Sequence, residues 1–361
     1  MSSVLIMAGG TGGHVYPGLA VARALQEKGI EVIWLGTRKG LEARVIPEAG
    51  IELEYISISG LKGRGLLHWV LAPFRVLIAL FQAMQIIRRR HPSMVLSMGG
   101  FVAGPGGLMA WLMGRPLVIH EQNAIPGFTN RILSIFARRI LTGFPDVFGH
   151  FPKTLHTGNP VRESIRSMPD PGIRLQSHQG PLRVLIIGGS QGARRLNQVV
   201  ADVMHLWRDE SAPEIWHQCG ERLLEETRDR YGKRILDKGH VRLVPFIEDM
   251  EKAYEWADLV ICRAGAMTVS ELACAGMASI LVPFPYATDD HQTANANYLV
   301  ERDAAVLIPE DQLSVERLHE VLHELDQNRD VIKQMSIHAE ASAMPDATDT
   351  VSEVCREVAY A

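Results

Sequence analysis

Three glycine clusters constrain this chain more than any other feature. Each follows a short apolar run and precedes a helical pattern. Val4-Leu5-Ile6-Met7-Ala8 leads into Gly9-Gly10-Thr11-Gly12-Gly13-His14, Ser93–Ser97 leads into Gly99–Gly107, and Arg183–Ile187 leads into Gly188–Gly192. Continuous apolar runs of this length suit strands buried on both faces, and their alternation with helices predicts parallel sheets. Glycine at the strand end permits a tight turn and lets backbone N–H groups approach an anion at the next helix's start.

The same grammar runs through the chain twice. In the first half, Pro17 suits the first turn of a helix reaching about Lys28. Further strands are expected at Glu31–Gly36, Pro116–His120 and Arg139–Thr142. Met168 to Pro181 lacks periodicity, which puts a domain boundary near Asn159–Glu163. The second half repeats with strands at Glu214–Gln218, Val241–Val244, Asp258–Ile261, Ser279–Val282 and Ala305–Ile308. Val315 to Tyr360 reads as helical apart from Met344-Pro345. The expectation is α/β: two doubly wound domains, with ligands beyond the carboxyl ends of the strands.

Several function classes are disfavoured. The dinucleotide pattern fails, because Val15 stands where the last small residue of G-x-G-x-x-G belongs and Arg38 follows the second strand; no P-loop motif occurs. A net charge of −4 gives no general attraction to nucleic acid. The four cysteines (219, 262, 274 and 355) have no C-x-x-C spacing, as expected of reduced thiols without a zinc site. No signal peptide is expected. The one candidate membrane span, Leu66 to Ile87, contains His68, Pro73, Arg75, Gln82 and Gln85, so no transmembrane helix is expected either.

Val260 to Gln292 carries the most chemistry. It reads as a strand, a glycine turn at Arg263–Thr268, a helix starting near Met267, and a second strand followed by a polar loop. The helix start suits a diphosphate, and Glu271 one turn later can accept from sugar hydroxyls. Thr268 and Glu271 equally fit a capping box that satisfies the helix's own N–H groups.

Together with His120–Asn123, Gly158-Asn159-Pro160-Val161-Arg162, Phe246–Met250 and Gly265–Glu271, the three glycine clusters resemble the MurG family of N-acetylglucosaminyltransferases over essentially the whole chain. The resemblance implies a GT-B fold, two Rossmann-like domains with an interdomain cleft. Residues 1–161 would bind the acceptor and associate with the membrane, 162–341 would bind UDP-GlcNAc, and 342–361 would return to the first domain. The implied reaction is inverting transfer of GlcNAc to the 4-hydroxyl of MurNAc in lipid I, giving lipid II for peptidoglycan. It needs no cofactor or metal, and no D-x-D motif is present. The implied partners are UDP-GlcNAc, lipid I, an anionic membrane surface at the cytoplasmic face of the inner membrane, and other cell-wall synthesis proteins.

Carried onto this sequence, the family's donor contacts fall on Thr11, Gly12, Gly13, Asn123, Arg162, Ser190, Ile247, Ala266, Met267, Thr268, Val269, Ser270, Glu271 and Gln292, with His291 and Asn295 as further candidates. Ile247 would serve the uracil through its backbone, and Glu271 the ribose. The plainer alternatives are core burial for Ile247, helix capping for Ser190 and solvation for Arg162. The loop at Pro285–Gln292 varies in length across the family. Acceptor contacts would come from Gly99, Gly100, Gly104, Gly106 and Gly107. His14 is the candidate general base, its alternative being a structural histidine at a helix end.

Val70, Phe74, Leu77 and Phe81 follow helical spacing between Arg64 and Arg90, with Arg75 and Arg88-Arg89-Arg90 nearby. Such a stripe is core in many proteins; here a polyprenyl-linked acceptor favours interfacial docking. Competing functions are another GT-B transferase, a UDP-GlcNAc 2-epimerase, and a non-catalytic nucleotide-sugar binding module.

Overall fold

The computed structural model describes residues 2–58, 66–149, 151–176, 178, 180–189, 192–207 and 212–361, with the backbone alone for 66–71, 176 and 288. The chain forms two compact units, Met1–Arg162 with Pro345–Ala361, and Glu163–Met344.

Unit 1 alternates strands and helices: β1 Ser3–Ala8, α1 Gly12–Glu27, β2 Glu31–Gly36, α2 Glu42–Glu48, β3 Glu52–Tyr55 and α3 Leu66–Arg90. It continues with β4 Met94–Gly99, α4 Ala103–Leu112, β5 Leu117–Glu121, α5 Phe128–Phe136, β6 Arg139–Thr142 and β7 Thr154–His156. The strands pair in parallel in the order β3-β2-β1-β4-β5-β6-β7. Order reverses between β1 and β4, which pair from Val4 with Met94 to Ala8 with Gly99. The loops beyond these two strands therefore diverge and leave room for a ligand.

Unit 2 opens with two short helices, α6 Glu163–Arg166 and α7 Pro171–Gln176. It then runs β8 Arg183–Ile187, α8 Arg194–Val203, β9 Glu214–Gln218, α9 Leu224–Leu236, β10 Val241–Val244 and α10 Met250–Trp256. β11 Leu259–Cys262, α11 Ala266–Cys274, β12 Ser279–Leu281, α12 His291–Val300, β13 Ala305–Leu307, α13 Val315–Gln327 and α14 Arg329–Ala341 complete it. Its sheet is parallel in the order β10-β9-β8-β11-β12-β13, so its switch point lies between β8 and β11. The last helix, α15 Ala347–Tyr360, belongs to unit 1. Val351, Cys355 and Val358 are buried in the same core as Val15, Leu19 and Ala22 of α1, and Lys28 Nζ donates to Ser352 Oγ at 2.6 Å.

The structure departs from the sequence reading at identifiable places. α1 starts on Gly12, one turn earlier than expected, so Pro17 lies inside it rather than in its first turn. Strands β3 and β7 were not anticipated; β7 has three residues and neither strand presents a continuous apolar run. The C-terminal helical region also breaks at Asn328, the residue between α13 and α14. Among the described residues, no helix is long and apolar enough to cross a membrane.

Gly100 holds the two glycine loops of unit 1 together. It has φ +83°, and a Cβ there would lie 2.3 Å from the Gly9 carbonyl oxygen. Gly10 has φ +97° but nothing within 4 Å of a built Cβ. Gly100→Ala should therefore lower stability by about 2–4 kcal/mol and Gly10→Ala by about 1 kcal/mol. The check is the urea midpoint at unchanged m-value.

Candidate active site

In unit 1 the first glycine loop enters α1 directly. Thr11 is the N-cap, in extended conformation (φ −111°, ψ 160°), and no side chain caps the helix. Gly12, Gly13 and His14 form its first turn, with Thr11 exposed and His14 half-buried. Gly99 gives the His14 ring its space: a Cβ there would lie 3.0 Å from Cε1 and Nδ1. His14 Nδ1 is 3.0 Å from Gln122 Oε1, and Gln122 Nε2 is 3.2 Å from His120 Nδ1. His120 Nε2 lies 3.0 Å from the Gly158 carbonyl oxygen. Burial pushes His120 down to about 4, which keeps it neutral near pH 7.

Two buried carboxylates shape the surrounding loops. Glu42 accepts from Gly10 N at 3.0 Å and from Thr37 N and Oγ1, both at 2.8 Å. Glu121 accepts from Asn123 N and Nδ2, Gly127 N and Asn130 Nδ2 between 2.9 and 3.2 Å. Asn123 is thus oriented by Glu121. Beside the loops held by Glu42 lies a pocket of about 580 Å³ whose lining includes Gly9, Gly10, Arg38, Lys39, Arg75 and Phe101. Its three cations were not singled out by sequence reasoning as ligands; a basic pair directly after β2 was the available signal.

The second glycine cluster divides. Gly99 ends β4, Gly100 opens the loop, and Gly104 is half-buried at the start of α4, near Thr129. Gly106 and Gly107, expected on the acceptor, are buried helix residues instead. A Cβ on Gly106 would lie 2.3 Å from Met7 Sδ, and one on Gly107 would lie 2.8 Å from Leu133 Cδ1. Their role is close packing of α4 on its neighbours. Arg162 is exposed, its guanidinium carbon 6.0 Å from the Tyr16 ring centre.

In unit 2 the structure overturns the capping box. α11 begins at Ala266 after Gly265, which is extended (φ −64°, ψ 145°), and no side chain caps it. Thr268 is the third residue of the helix, so it cannot be the cap. The first turn, Ala266-Met267-Thr268, presents the backbone N–H ends of a helix lying at the sheet's switch point. Ser270 and Glu271 follow, both half-buried. Val269 is fully buried, and its N–H donates to Gly265 O at 2.9 Å. It supports the turn and does not present a side chain to a ligand.

The neighbouring loops are pinned to this turn. Arg263 donates to the carbonyls of Val282 and Pro283 at 3.2 and 3.1 Å and pairs with Glu310. Gln292 Oε1 accepts from Phe284 N at 2.9 Å. Asn295, considered for sugar contact, is fully buried and donates to Ala264 O at 3.2 Å, a structural role. His291 is half-buried at the first position of α12. Ile247 has a buried side chain on the loop between β10 and α10. Ser190 lies outside the described residues; α8 is preceded by Ala193 as its N-cap.

The apolar stripe on α3 is not core. Phe74, Leu77 and Phe81 are 64%, 61% and 56% exposed, whereas Ala79, Ala83 and Ile87 face inward. The Val70 side chain lies outside the described residues. Leu112 on α4 and Phe128 and Ile135 on α5 extend the exposed apolar surface of unit 1. Arg89 is bonded to Glu54, and Arg90 to Glu52 and Glu54, so these two arginines serve the fold rather than accompany the stripe as expected.

Comparison with known proteins places this geometry. Residues 4–142 match the glycosyltransferase family 28 N-terminal domain and residues 183–351 the family 28 C-terminal domain. A protein of Nitrosococcus oceani named UDP-N-acetylglucosamine–N-acetylmuramyl-(pentapeptide) pyrophosphoryl-undecaprenol N-acetylglucosamine transferase is 51% identical over 356 residues, covering 99% of this chain and 98% of the relative. The crystal structure of MurG from Acinetobacter baumannii superposes with a TM-score of 0.84 at 40% identity, over 99% of this chain and 100% of that one. A UDP-GlcNAc 2-epimerase from Neisseria meningitidis, at 12% identity and a TM-score of 0.68, shares the fold alone; it covers 99% of this chain and 100% of its own. With two parallel Rossmann-like sheets and relatives of this closeness along its whole length, the chain has the GT-B fold and belongs to glycosyltransferase family 28, among its MurG-type members.

Proposed function

We propose that the protein transfers GlcNAc from UDP-GlcNAc to the 4-hydroxyl of MurNAc in undecaprenyl-diphospho-MurNAc-pentapeptide, converting lipid I to lipid II. The observation that carries this reading is 51% identity across 99% of the chain to an enzyme whose name specifies that donor group and acceptor. The assay is incubation with UDP-GlcNAc and lipid I. UDP release that needs the acceptor, with a disaccharide product, is the expected result. Acceptor-independent formation of UDP-ManNAc would overturn it in favour of epimerisation.

The donor reading rests on unit 2. The α11 N-terminus receives the diphosphate, Glu271 the ribose, the Ile247 backbone the uracil, and Gln292 the sugar hydroxyls. Ser270 and Ser190 complete the share of unit 2 in the donor set of this proposal. As the C1–O bond to UDP breaks, its electron pair goes to the departing phosphate. A helix N-terminus stabilises that growing charge.

The acceptor reading rests on unit 1, with the sugar near Gly99, Gly100 and Gly104. Its diphosphate suits the pocket holding Arg38, Lys39 and Arg75, where guanidinium and ammonium groups supply fixed positive charge. The 4-hydroxyl oxygen attacks C1 from the face opposite UDP while its proton passes to His14. One displacement of this kind inverts the anomeric centre. His14→Ala should lower kcat about a hundredfold or more while leaving the Kd for UDP-GlcNAc nearly unchanged. Steady-state kinetics paired with calorimetry checks this.

The exposed stripe on α3 supports a reading of peripheral association with the cytoplasmic face of the inner membrane. Its apolar side chains would enter the acyl boundary. The Phe74→Ser, Leu77→Ser double variant should bind anionic vesicles at least about tenfold more weakly, as expected for losing two inserted side chains. Co-sedimentation measures it, and equal binding would remove α3 from the docking face.

A further inference from the structure

A histidine can take a proton only at a nitrogen that carries a lone pair, so the reading of His14 as general base is complete only when its tautomer is fixed. The structure fixes it from a backbone carbonyl three groups away. The Gly158 oxygen can only accept, so His120 Nε2 at 3.0 Å must donate to it. His120 is fully buried and neutral, pushed down to about 4 by that burial. With its one proton on Nε2, its Nδ1 is an acceptor. The Gln122 group facing that lone pair at 3.2 Å must therefore be the amide N–H, not the carbonyl.

The orientation of Gln122 follows. Its side chain is buried, and Asn159 Nδ2 donates to its backbone oxygen at 3.0 Å. With the amide nitrogen turned to His120, Oε1 is turned to His14 Nδ1 at 3.0 Å and requires a proton there. The opposite amide orientation would set oxygen against the His120 lone pair. It would also force the His14 proton onto Nε2, leaving the outer nitrogen unable to act as a base.

We propose that Gln122 and His120 are positioning residues that hold His14 in its Nδ1–H tautomer, so that Nε2 is the nitrogen that accepts the proton of the acceptor hydroxyl. This rests on the general-base reading of His14 above. It assigns to the end of β5 and the residue after it a role in proton transfer. Orienting partners of this kind are worth about ten- to a hundredfold in activity.

The test uses the full chain labelled with ¹⁵N-histidine. Long-range ¹H–¹⁵N correlation spectra distinguish the tautomers, and His14→Gln identifies the His14 signals. The wild type should show His14 protonated at Nδ1. Gln122→Met keeps the volume and removes both hydrogen-bonding groups, so His14 should move to the Nε2–H form that unconstrained imidazole prefers. The same variant should lose about ten- to a hundredfold in kcat with KM for UDP-GlcNAc little changed. A wild-type His14 protonated at Nε2, or a tautomer indifferent to Gln122→Met, overturns the relay itself. A switched tautomer with undiminished kcat overturns the proposal through the base reading on which it rests, so the two failures are told apart. The wild-type spectrum needs no variant to fold.

Discussion

Loops at the carboxyl edge of a parallel sheet have backbone donors that the strands cannot satisfy, and burying such donors unpaired is costly. Unit 1 meets this constraint with two buried carboxylates. Glu42 gathers N–H groups from the first glycine loop and from the end of β2. Glu121 does the same for the segment between β5 and α5. With the loops held in this way, the glycines can approach closely and His14 can stand against Gly99. The loops of unit 1 are therefore arranged by two buried acidic side chains.

Unit 2 meets the complementary need, that of unpaired backbone acceptors, with a cation. Arg263 collects the carbonyls at the end of β12 and pairs with Glu310, fixing the rim around the start of α11. The helix itself is left without a side-chain cap. A capping residue would have satisfied the N–H groups internally and weakened their attraction for an anion. Glycine at that position has no side chain with which to do so.

Much of this was legible in the sequence. The bounds of β2, β6, β8, β9 and β10 were legible to the residue; for β2, β8 and β9 this is because largely buried strands have few other patterns open to them, whereas β10 is an edge strand bounded by the turn residues around it. β3 and β7 escaped for the converse reason: Glu52, Glu54 and His156 interrupt them. Local spacing also misled where a motif had two geometric solutions. Thr268 and Glu271 fit a capping box by separation, and only the start at Ala266 excludes it. Gly106 and Gly107 looked like loop residues by proximity to other glycines, yet they serve helix packing. The α3 stripe is an apolar face whose sidedness periodicity cannot reveal; that Phe74 and Leu77 point outward is a tertiary fact. The His14–Gln122–His120 relay lay beyond sequence altogether, since it joins residues 108 positions apart.

The placement of α15 has a consequence for biogenesis. Unit 1 is interrupted in the chain by the whole of unit 2, and its core is closed by Val351, Cys355 and Val358 packing in the α1 core. During synthesis the ribosome delivers all of unit 2 before it delivers that helix. Unit 2 can therefore mature as an independent body while the apolar back of α1 still awaits its cover. The helix that bears His14 is thus among the last parts of the nascent chain to be secured, and a chain released before Val351 would carry a complete second unit and a first unit whose core is still open.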